Sequence, residues 1–262
     1  MSRANWLSRW VARPVRPRVR VEDEDGVRRL YIGSDVVQSA MRLADPDALE
    51  LAYTRAMLVP LLFRPEPRRI VLIGLGGGSL ARFLLRALPA CRLVAVEPDA
   101  EVIDAARRHF HLPHDPRLRI VEQDGAEYVT GCASGSVDLL LVDAFDAHAQ
   151  VEACAGTAFL ADAGRVLSAE GACAANLWNH APSYPAYRDR FLNAFRGRGI
   201  LLPAPRPGNL VAVGLARPGG DWRWSALAAR ARALRARHGV EFPDFVDGLR
   251  AANPYTADRL LM

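Results

Sequence analysis

The chain contains no lysine: all 34 of its basic residues are arginine. That absence excludes Schiff-base chemistry on a lysine amine and a Walker-type phosphate lysine. Cysteine is sparse, and Cys91, Cys132, Cys154 and Cys173 form no C-x-x-C pair, so reduced thiols in a cytoplasmic protein are expected. Long apolar runs are missing too. None approaches the roughly 18 to 20 residues that a membrane span needs, and no apolar h-region follows the basic N terminus, so neither a span nor a signal peptide is expected. Metal-ligand patterning is also poor. His109, His111 and His114 straddle a helix end and the Pro113 loop with no cysteine or carboxylate cluster beside them, and no metal is expected.

What is present is a chain of 262 residues, 50% hydrophobic, long enough to bury a sizeable core as one large domain with small additions. The formal net charge of +5 is concentrated at one end, because Arg3, Arg9, Arg13, Arg16, Arg18 and Arg20 fall in a stretch without an acid. The body beyond them is close to neutral, so no nucleic-acid-binding face is expected on it. Residues 1–18, with Trp6 and Trp10 among the arginines, read as a disordered basic arm.

The most informative stretch is Ile70-Val71-Leu72-Ile73-Gly74-Leu75-Gly76-Gly77-Gly78-Ser79. A buried strand that ends in glycines and opens into a helix lets a ligand approach backbone that a side chain would block. The next apolar strand, Arg92 to Val96, ends in Glu97, nineteen residues beyond Gly78. That spacing suits a carboxylate that accepts from two ribose hydroxyls; a helix-capping role at Glu97-Pro98-Asp99 is the plain alternative.

Around this pair the pattern is regular. Val19 to Glu22 and Val27 to Ile32 flank an Asp-Gly turn, which predicts a β-hairpin. Asp45-Pro46-Asp47 is expected to cap a helix through Leu49, Ala52, Tyr53, Ala56, Met57 and Leu61 that ends before Pro65. From residue 69 strands and helices alternate, and Ile200-Leu201-Leu202 and Asn209 to Val213 follow with no helix between them, hence antiparallel. The fold class expected is α/β: a Rossmann-like, seven-stranded methyltransferase-type sheet with a small N-terminal β-hairpin domain. The boundaries expected are 19–63 for the hairpin and helix, 64–216 for the adenosyl-cofactor-binding catalytic domain and 217–262 for a helical extension. Asn253-Pro254-Tyr255 reads as a turn.

Leu30-Tyr31-Ile32-Gly33-Ser34-Asp35-Val36-Val37-Gln38-Ser39, then Val71 to Gly74, Val96-Glu97, Asp115-Pro116-Arg117-Leu118, Gln123-Asp124-Gly125-Ala126-Glu127-Tyr128 and Val142-Asp143-Ala144-Phe145-Asp146 occur in the order and spacing of a known family. The chain resembles the spermidine synthase (polyamine aminopropyltransferase) family over residues 19–216. The resemblance implies a cytoplasmic transferase whose co-substrate is decarboxylated S-adenosylmethionine and whose acceptor is a small-molecule amine. It implies that Gln38, Gly74, Gly76, Gly77, Gly78, Glu97, Asp124 and Gly125 hold the adenosyl group, with Glu97 on the ribose and Asp124 on the adenine amino group. It makes Asp143 the catalytic aspartate and Asp146 its partner in the same loop, with Tyr53 at the substrate. Family members are often dimers or tetramers, so a homodimer is compatible with it.

Three departures set this chain apart from the family pattern. Gly77 stands where an aspartate usually contacts the aminopropyl amine. Tyr53-Thr54-Arg55 replaces Tyr-His-Glu, and an arginine facing a diammonium substrate would repel it by on the order of 1 kcal/mol. The loop after Val142 lacks the family's prolines and glycine. An acceptor other than ordinary putrescine is therefore expected. Methyl transfer from S-adenosylmethionine itself, and a non-catalytic nucleotide-binding protein, stay open beside aminopropyl transfer. His148 and His180 follow strands at the same edge, as proton-transfer assistants or as surface loop residues.

Overall fold

The computed structural model describes residues 19–144, 152–205, 208–217 and 222–261. The arginine-rich arm, Asp146 and His148 lie outside the described residues.

β1 (Val19–Glu24), β2 (Val27–Ile32) and β3 (Val37–Arg42) form a three-stranded antiparallel sheet. Asp25 and Gly26 both take positive φ, 51° and 72°, the twist that suits a two-residue hairpin turn. β3 is an addition to the expected hairpin. It escapes the alternation test because Ser39, Ala40 and Met41 are buried in succession.

The helix expected after Asp45-Pro46-Asp47 is shorter and starts later. α1 covers only Ala52–Ala56, its N-cap is Leu51 without a side-chain bond, and a 3₁₀ turn over Val59–Leu62 follows. Asp45 is instead drawn into a bridge with Arg42. Pro60 stops the helix at the other end, since it has no N–H to give and its ring crowds the carbonyl one turn back.

The remainder runs β4 (Arg69–Ile73), α2 (Ser79–Ala87), β5 (Arg92–Val96), α3 (Ala100–His109), β6 (Leu118–Val121), α4 (Gly125–Gly131), β7 (Val137–Val142), α5 (Thr157–Val166), β8 (Leu167–Trp178), α6 (Tyr184–Ala194), β9 (Gly199–Pro203), β10 (Asn209–Leu215), α7 (Trp224–His238) and α8 (Phe242–Ala252). The seven strands are ordered β6-β5-β4-β7-β8-β10-β9. All neighbours are parallel except β10, which is antiparallel to both β8 and β9. This is the methyltransferase-type sheet expected from the sequence. The chain leaves β4 toward one edge and returns to β7 on the other side, so the crevice that such sheets offer to ligands opens at the carboxyl ends of β4 and β7.

Alternation along each strand builds two cores. Leu72, Leu141, Ala174 and Val211 face Leu61, Leu84, Leu227 and Phe245. Val71, Leu140, Cys173 and Ala212 face Val129, Phe159, Leu160 and Phe191. Cys154 and Cys173 are free thiols in that second core, and burial pushes the Cys154 thiol up to about 12, so both stay protonated and inert. The edge strand β9 is closed by an amide: Asn253 Oδ1 accepts from Leu201 N at 2.7 Å and Nδ2 donates to Leu201 O at 2.7 Å. Among the described residues no helix is long and apolar enough to cross a membrane.

Candidate active site

The site follows from one change along one face of the sheet. Leu139 and Leu141 on β7, Ala172 and Ala174 on β8, and Val213 and Val211 on β10 are buried apolar residues of the first core. One step further toward the crevice, each strand turns polar. Asp143 follows β7, Asn176 and Trp178 end β8, and Asn209 begins β10 opposite Trp178. Because successive residues alternate faces, Asp143, Asn176, Trp178 and Asn209 share the face that carries Leu141 and Ala174.

Asp143 is the centre of this patch. Its Oδ1 accepts from Asn176 Nδ2 at 2.9 Å, and Asn176 Oδ1 accepts from Asn209 Nδ2 at 3.0 Å. Its Oδ2 lies 3.2 Å from the Tyr53 hydroxyl, which is also 3.4 Å from the Gln38 carbonyl oxygen. Burial raises the Asp143 carboxyl from 3.8 to about 6, against the lowering effect of the two donors. The Tyr53 phenol is pushed well up by burial and by the neighbouring carboxylate, so it stays a donor. A half-buried carboxylate with a raised pKa and defined donors is what proton transfer needs, and such groups mark functional sites.

The glycine turn and Asp143 are in contact. Gly74, at φ +88°, has no Cβ, and one built there would sit 2.2 Å from the Asp143 carbonyl oxygen. Gly76 lies under β3, where a Cβ would be 3.6 Å from that of Ser39. Gly78, left-handed at φ 74°, is the N-cap of α2. Arg82, buried in the first turn of α2, fastens the turn from behind: it donates to Gly77 O at 3.0 Å, to Pro46 O at 2.8 Å and to Phe110 O. Three backbone carbonyls, one from the N-terminal segment, thus share one guanidinium.

Glu97 is buried at the end of β5, where Oε2 accepts from Leu75 N at 3.0 Å and Oε1 from Asp99 N at 3.2 Å. Burial raises its carboxyl despite those two bonds. The helix cap is Asp99, which accepts from Glu101 N, so the capping alternative does not account for Glu97. Asp124 does act as a cap: its Oδ1 accepts from Ala126 N at 2.8 Å and Glu127 N at 3.0 Å. Both bonds use one oxygen and leave Oδ2 outside the cap. Gly125 has a packing reason to lack a side chain, since a Cβ would fall 2.3 Å from Ile73 Cγ2.

Two of the departures change meaning in three dimensions. At Gly77 a Cβ would meet both Phe110 Cδ1 and Ser39 Oγ at 2.8 Å, so the space of the missing side chain is already filled. Arg55 does not stand as an uncompensated cation at an amine site. Its Nε donates to Glu241 Oε1 at 2.7 Å and its NH1 to the Leu49 carbonyl at 2.8 Å. The charge behind the expected repulsion is thus paired with Glu241. Tyr53 and Arg55, two residues apart on one short helix, point to different sides, and only Tyr53 reaches Asp143.

Tyr53 joins the Gln38 carbonyl to Asp143, Gly74 touches Asp143 and Glu97 holds Leu75 of the glycine turn; Asp124 follows β6 at the same end of the sheet, and Asp146 lies outside the described residues. Asn176 and Asn209 were not in the sequence reading. The available signal was a lone amide in the run Ala172-Cys173-Ala174-Ala175-Asn176-Leu177, where a buried polar group requires a partner. Trp178, 37% exposed, packs edge-on against His180 with ring centroids 6.4 Å apart. Among the described residues, no three His, Cys, Asp or Glu side chains are grouped to hold a metal ion.

A family model described as a methyltransferase domain matches residues 70–171. The polyamine aminopropyltransferase of Chromobacterium violaceum is 41% identical over 247 residues, which cover 94% of this chain and 94% of that protein. The polyamine aminopropyltransferase of Neisseria meningitidis serogroup A is 37% identical over 240 residues, 91% of each. Among solved structures, a probable spermidine synthase from Corynebacterium glutamicum superposes with a TM-score of 0.70 at 22% identity, covering 92% of this chain and 94% of that one. Human methyltransferase-like protein 13 in complex with SAH gives 0.62 at 21% identity, covering 79% and 96%. The two structures agree with the fold; the two curated relatives carry the family.

Proposed function

Because the chain belongs to the polyamine aminopropyltransferase family, we propose that it transfers an aminopropyl group from decarboxylated S-adenosylmethionine to a small amine, with Asp143 as proton acceptor. The observation that carries this reading is the half-buried Asp143 carboxylate, raised to about 6, held by Asn176 and Tyr53 and set beside the glycine turn.

The chemistry is a displacement at a carbon bonded to a sulfonium. The amine nitrogen forms the new C–N bond while the C–S bond breaks, and sulfur takes the electron pair to leave methylthioadenosine. Before this the amine, protonated in water at neutral pH, gives one proton to Asp143 Oδ2, which frees the lone pair that attacks; the product nitrogen keeps its remaining extra proton. At neutral pH a carboxylate that titrates near 6 is ionised yet basic enough for the task. Tyr53, 3.2 Å from the same oxygen, fixes where the proton is accepted. Holding the nucleophile in line behind the carbon supplies several kcal/mol, roughly, of orientation.

The acceptor set suits an adenosyl group. Gly74, Gly76 and Gly78 give the turn its positive-φ backbone, Glu97 retains lone pairs for ribose hydroxyls after its two backbone bonds, and Asp124 Oδ2 is available for an amino group. Gln38 on β3 is assigned to the co-substrate side of the site, and Asp146, three residues beyond Asp143 in the sequence, is assigned the supporting role. The filled, neutral site at Gly77 bears on the aminopropyl amine of the sulfonium co-substrate, and the acceptor is a small amine other than ordinary putrescine.

Calorimetric titration with decarboxylated S-adenosylmethionine, S-adenosylmethionine and methylthioadenosine tests this reading. Preference for the decarboxylated ligand, with methylthioadenosine bound, is the expected result. Preference for the parent compound would turn the assignment to methyl transfer, and no binding of any of the three would remove both.

A further inference from the structure

β8 runs through the core as Ala172-Cys173-Ala174-Ala175-Asn176-Leu177, and Asn176 is 2% exposed. Its backbone is already paired in the sheet, opposite Val211 on β10, so strand formation does not call for an amide side chain there. A buried amide costs stability unless both its ends are satisfied. Both are, and their polarity is fixed by chemistry. An ionised carboxylate only accepts, so Asn176 must turn its NH₂ toward Asp143; its oxygen then faces Asn209, which must present its own NH₂. The distances along this line are 3.0 Å from Asn209 to Asn176 and 2.9 Å from Asn176 to Asp143. The line begins at the half-buried start of β10 and ends on one oxygen of the carboxylate.

We infer that Asn176 and Asn209 are positioning residues, a one-way donor chain that occupies Oδ1 of Asp143, stops the carboxylate from rotating, and leaves Oδ2 beside Tyr53 as the oxygen that takes the proton. The inference rests on the reading of Asp143 as proton acceptor. The groups facing Asp143 on the described elements are Asn176 from β8 as a neutral donor and Tyr53 from α1 as the titratable one; Asp146 follows in the same loop. A donor on the ionised form favours that form, so the chain holds the Asp143 pKa below the value that burial alone would impose.

The test reads Asp143 without any substrate. In protein labelled with ¹³C at the aspartate carboxyl carbons, the Asp143 resonance is assigned by its loss in Asp143→Asn, and its titration is followed in Asn176→Leu, Asn209→Ala and the double variant. Expected is a rise of the Asp143 midpoint by about one pH unit or more in Asn176→Leu, a smaller rise in Asn209→Ala, and no further effect of Asn209→Ala once Asn176 is leucine. Turnover of decarboxylated S-adenosylmethionine to methylthioadenosine, with whichever of a panel of small mono- and diamines the unaltered protein uses fastest as the acceptor probe, should show its acid limb moved by the same amounts, with KM for the sulfonium compound unchanged. A midpoint unmoved in both single variants, or an Asn209→Ala shift that persists beside leucine, overturns the donor chain. Should Asn176→Leu fail to fold, Asn209→Ala alone carries the test. Turnover surviving in Asp143→Asn overturns the acceptor reading and this inference with it. Loss of turnover in Asp143→Asn together with unmoved midpoints in the amide variants overturns only the inference.

Discussion

The hydroxyl of Tyr53 lies 3.2 Å from Oδ2 of Asp143, across a sequence separation of 90 residues. Tyr53 belongs to the short helix α1 in the N-terminal segment and Asp143 to the end of β7 in the seven-stranded sheet, so the site is complete only where the two parts of the chain meet. Tyr53→Phe keeps the ring and removes one donor from Oδ2. It should lower kcat about ten-fold or more and raise the acid limb of the pH–rate profile, with the fold intact by circular dichroism; an unchanged profile would detach Tyr53 from the proton.

Asp143 itself ties activity to a stability cost. Its ordinary value of 3.8 becomes about 6 in the folded chain, so the folded state holds the proton more tightly than the unfolded one. Below pH about 4 the carboxyl is protonated in both states and adds no pH dependence. Stability from this group then falls as pH rises from about 4 to about 6, and the loss persists above that window, on the order of 2–3 kcal/mol. Asp143→Asn should therefore abolish turnover and raise the melting temperature at pH 7.5 by a few degrees. A melting point that drops would show that the ionised carboxylate is better compensated than its burial suggests.

Gly74 links the cofactor turn to the base. A Cβ at this position would lie 2.2 Å from the Asp143 carbonyl oxygen, on a residue already at φ +88°, so Gly74→Ala must both strain its own backbone and push β7's end aside. A cost of about 3 kcal/mol or more follows from overpacking and the left-handed conformation together. A displacement near 1 Å at the base is enough for roughly a hundred-fold loss in turnover. Denaturant unfolding and steady-state kinetics measure the two effects separately.

The sequence displayed most of the sheet because its strands are short, mostly apolar segments between turns. Arg92–Val96, Leu118–Val121 and Val137–Val142 are mostly apolar runs, each carrying one charged residue (Arg92, Arg119 and Asp138), and each coincides with a strand. The start of β8 is not legible in this way, because Ser168, Ala169, Glu170 and Gly171 have the composition of a loop yet belong to the strand Leu167–Trp178. The chemistry was legible only where a motif carried it. Glu97 and Asp143 close strands, and strand ends are recognisable, but Asn209 and Asn176 become partners only through antiparallel pairing of β10 with β8. Arg55 shows the converse limit: the sequence supplies a cation near a substrate residue, and only the turn of α1 decides that it meets Glu241.

That ion pair yields a prediction about specificity. The Arg55 and Glu241 side chains are 28% and 25% exposed and 2.7 Å apart, so the charge is neutralised inside the protein. Arg55→Gln should cost about 1–2 kcal/mol of stability, because Glu241 and the carbonyls of Leu49 and Glu50 lose their donor. It should leave KM for a diamine within about two-fold. An improvement of ten-fold or more would show that the cation acts on the acceptor after all.

Asn253 provides the control for all of these. Its amide takes the place of a neighbouring strand on the outer edge of β9, accepting from Leu201 N and donating to Leu201 O, both at 2.7 Å, while Nδ2 also meets Leu249 O at 2.8 Å and so closes the end of α8. An edge strand otherwise presents unpaired backbone groups, and here one side chain satisfies both the N–H and the C=O of one residue. Asn253→Ala leaves those groups without partners in a half-buried setting, at a cost of about 1–3 kcal/mol. β9 is separated from β8 by β10, so the loss should appear in the denaturation midpoint and in hydrogen exchange at Leu201 N, with the pH midpoint of Asp143 unmoved. If Asn253→Ala shifts that midpoint as Asn176→Leu does, general loosening of the sheet, and not the donor chain, governs the base.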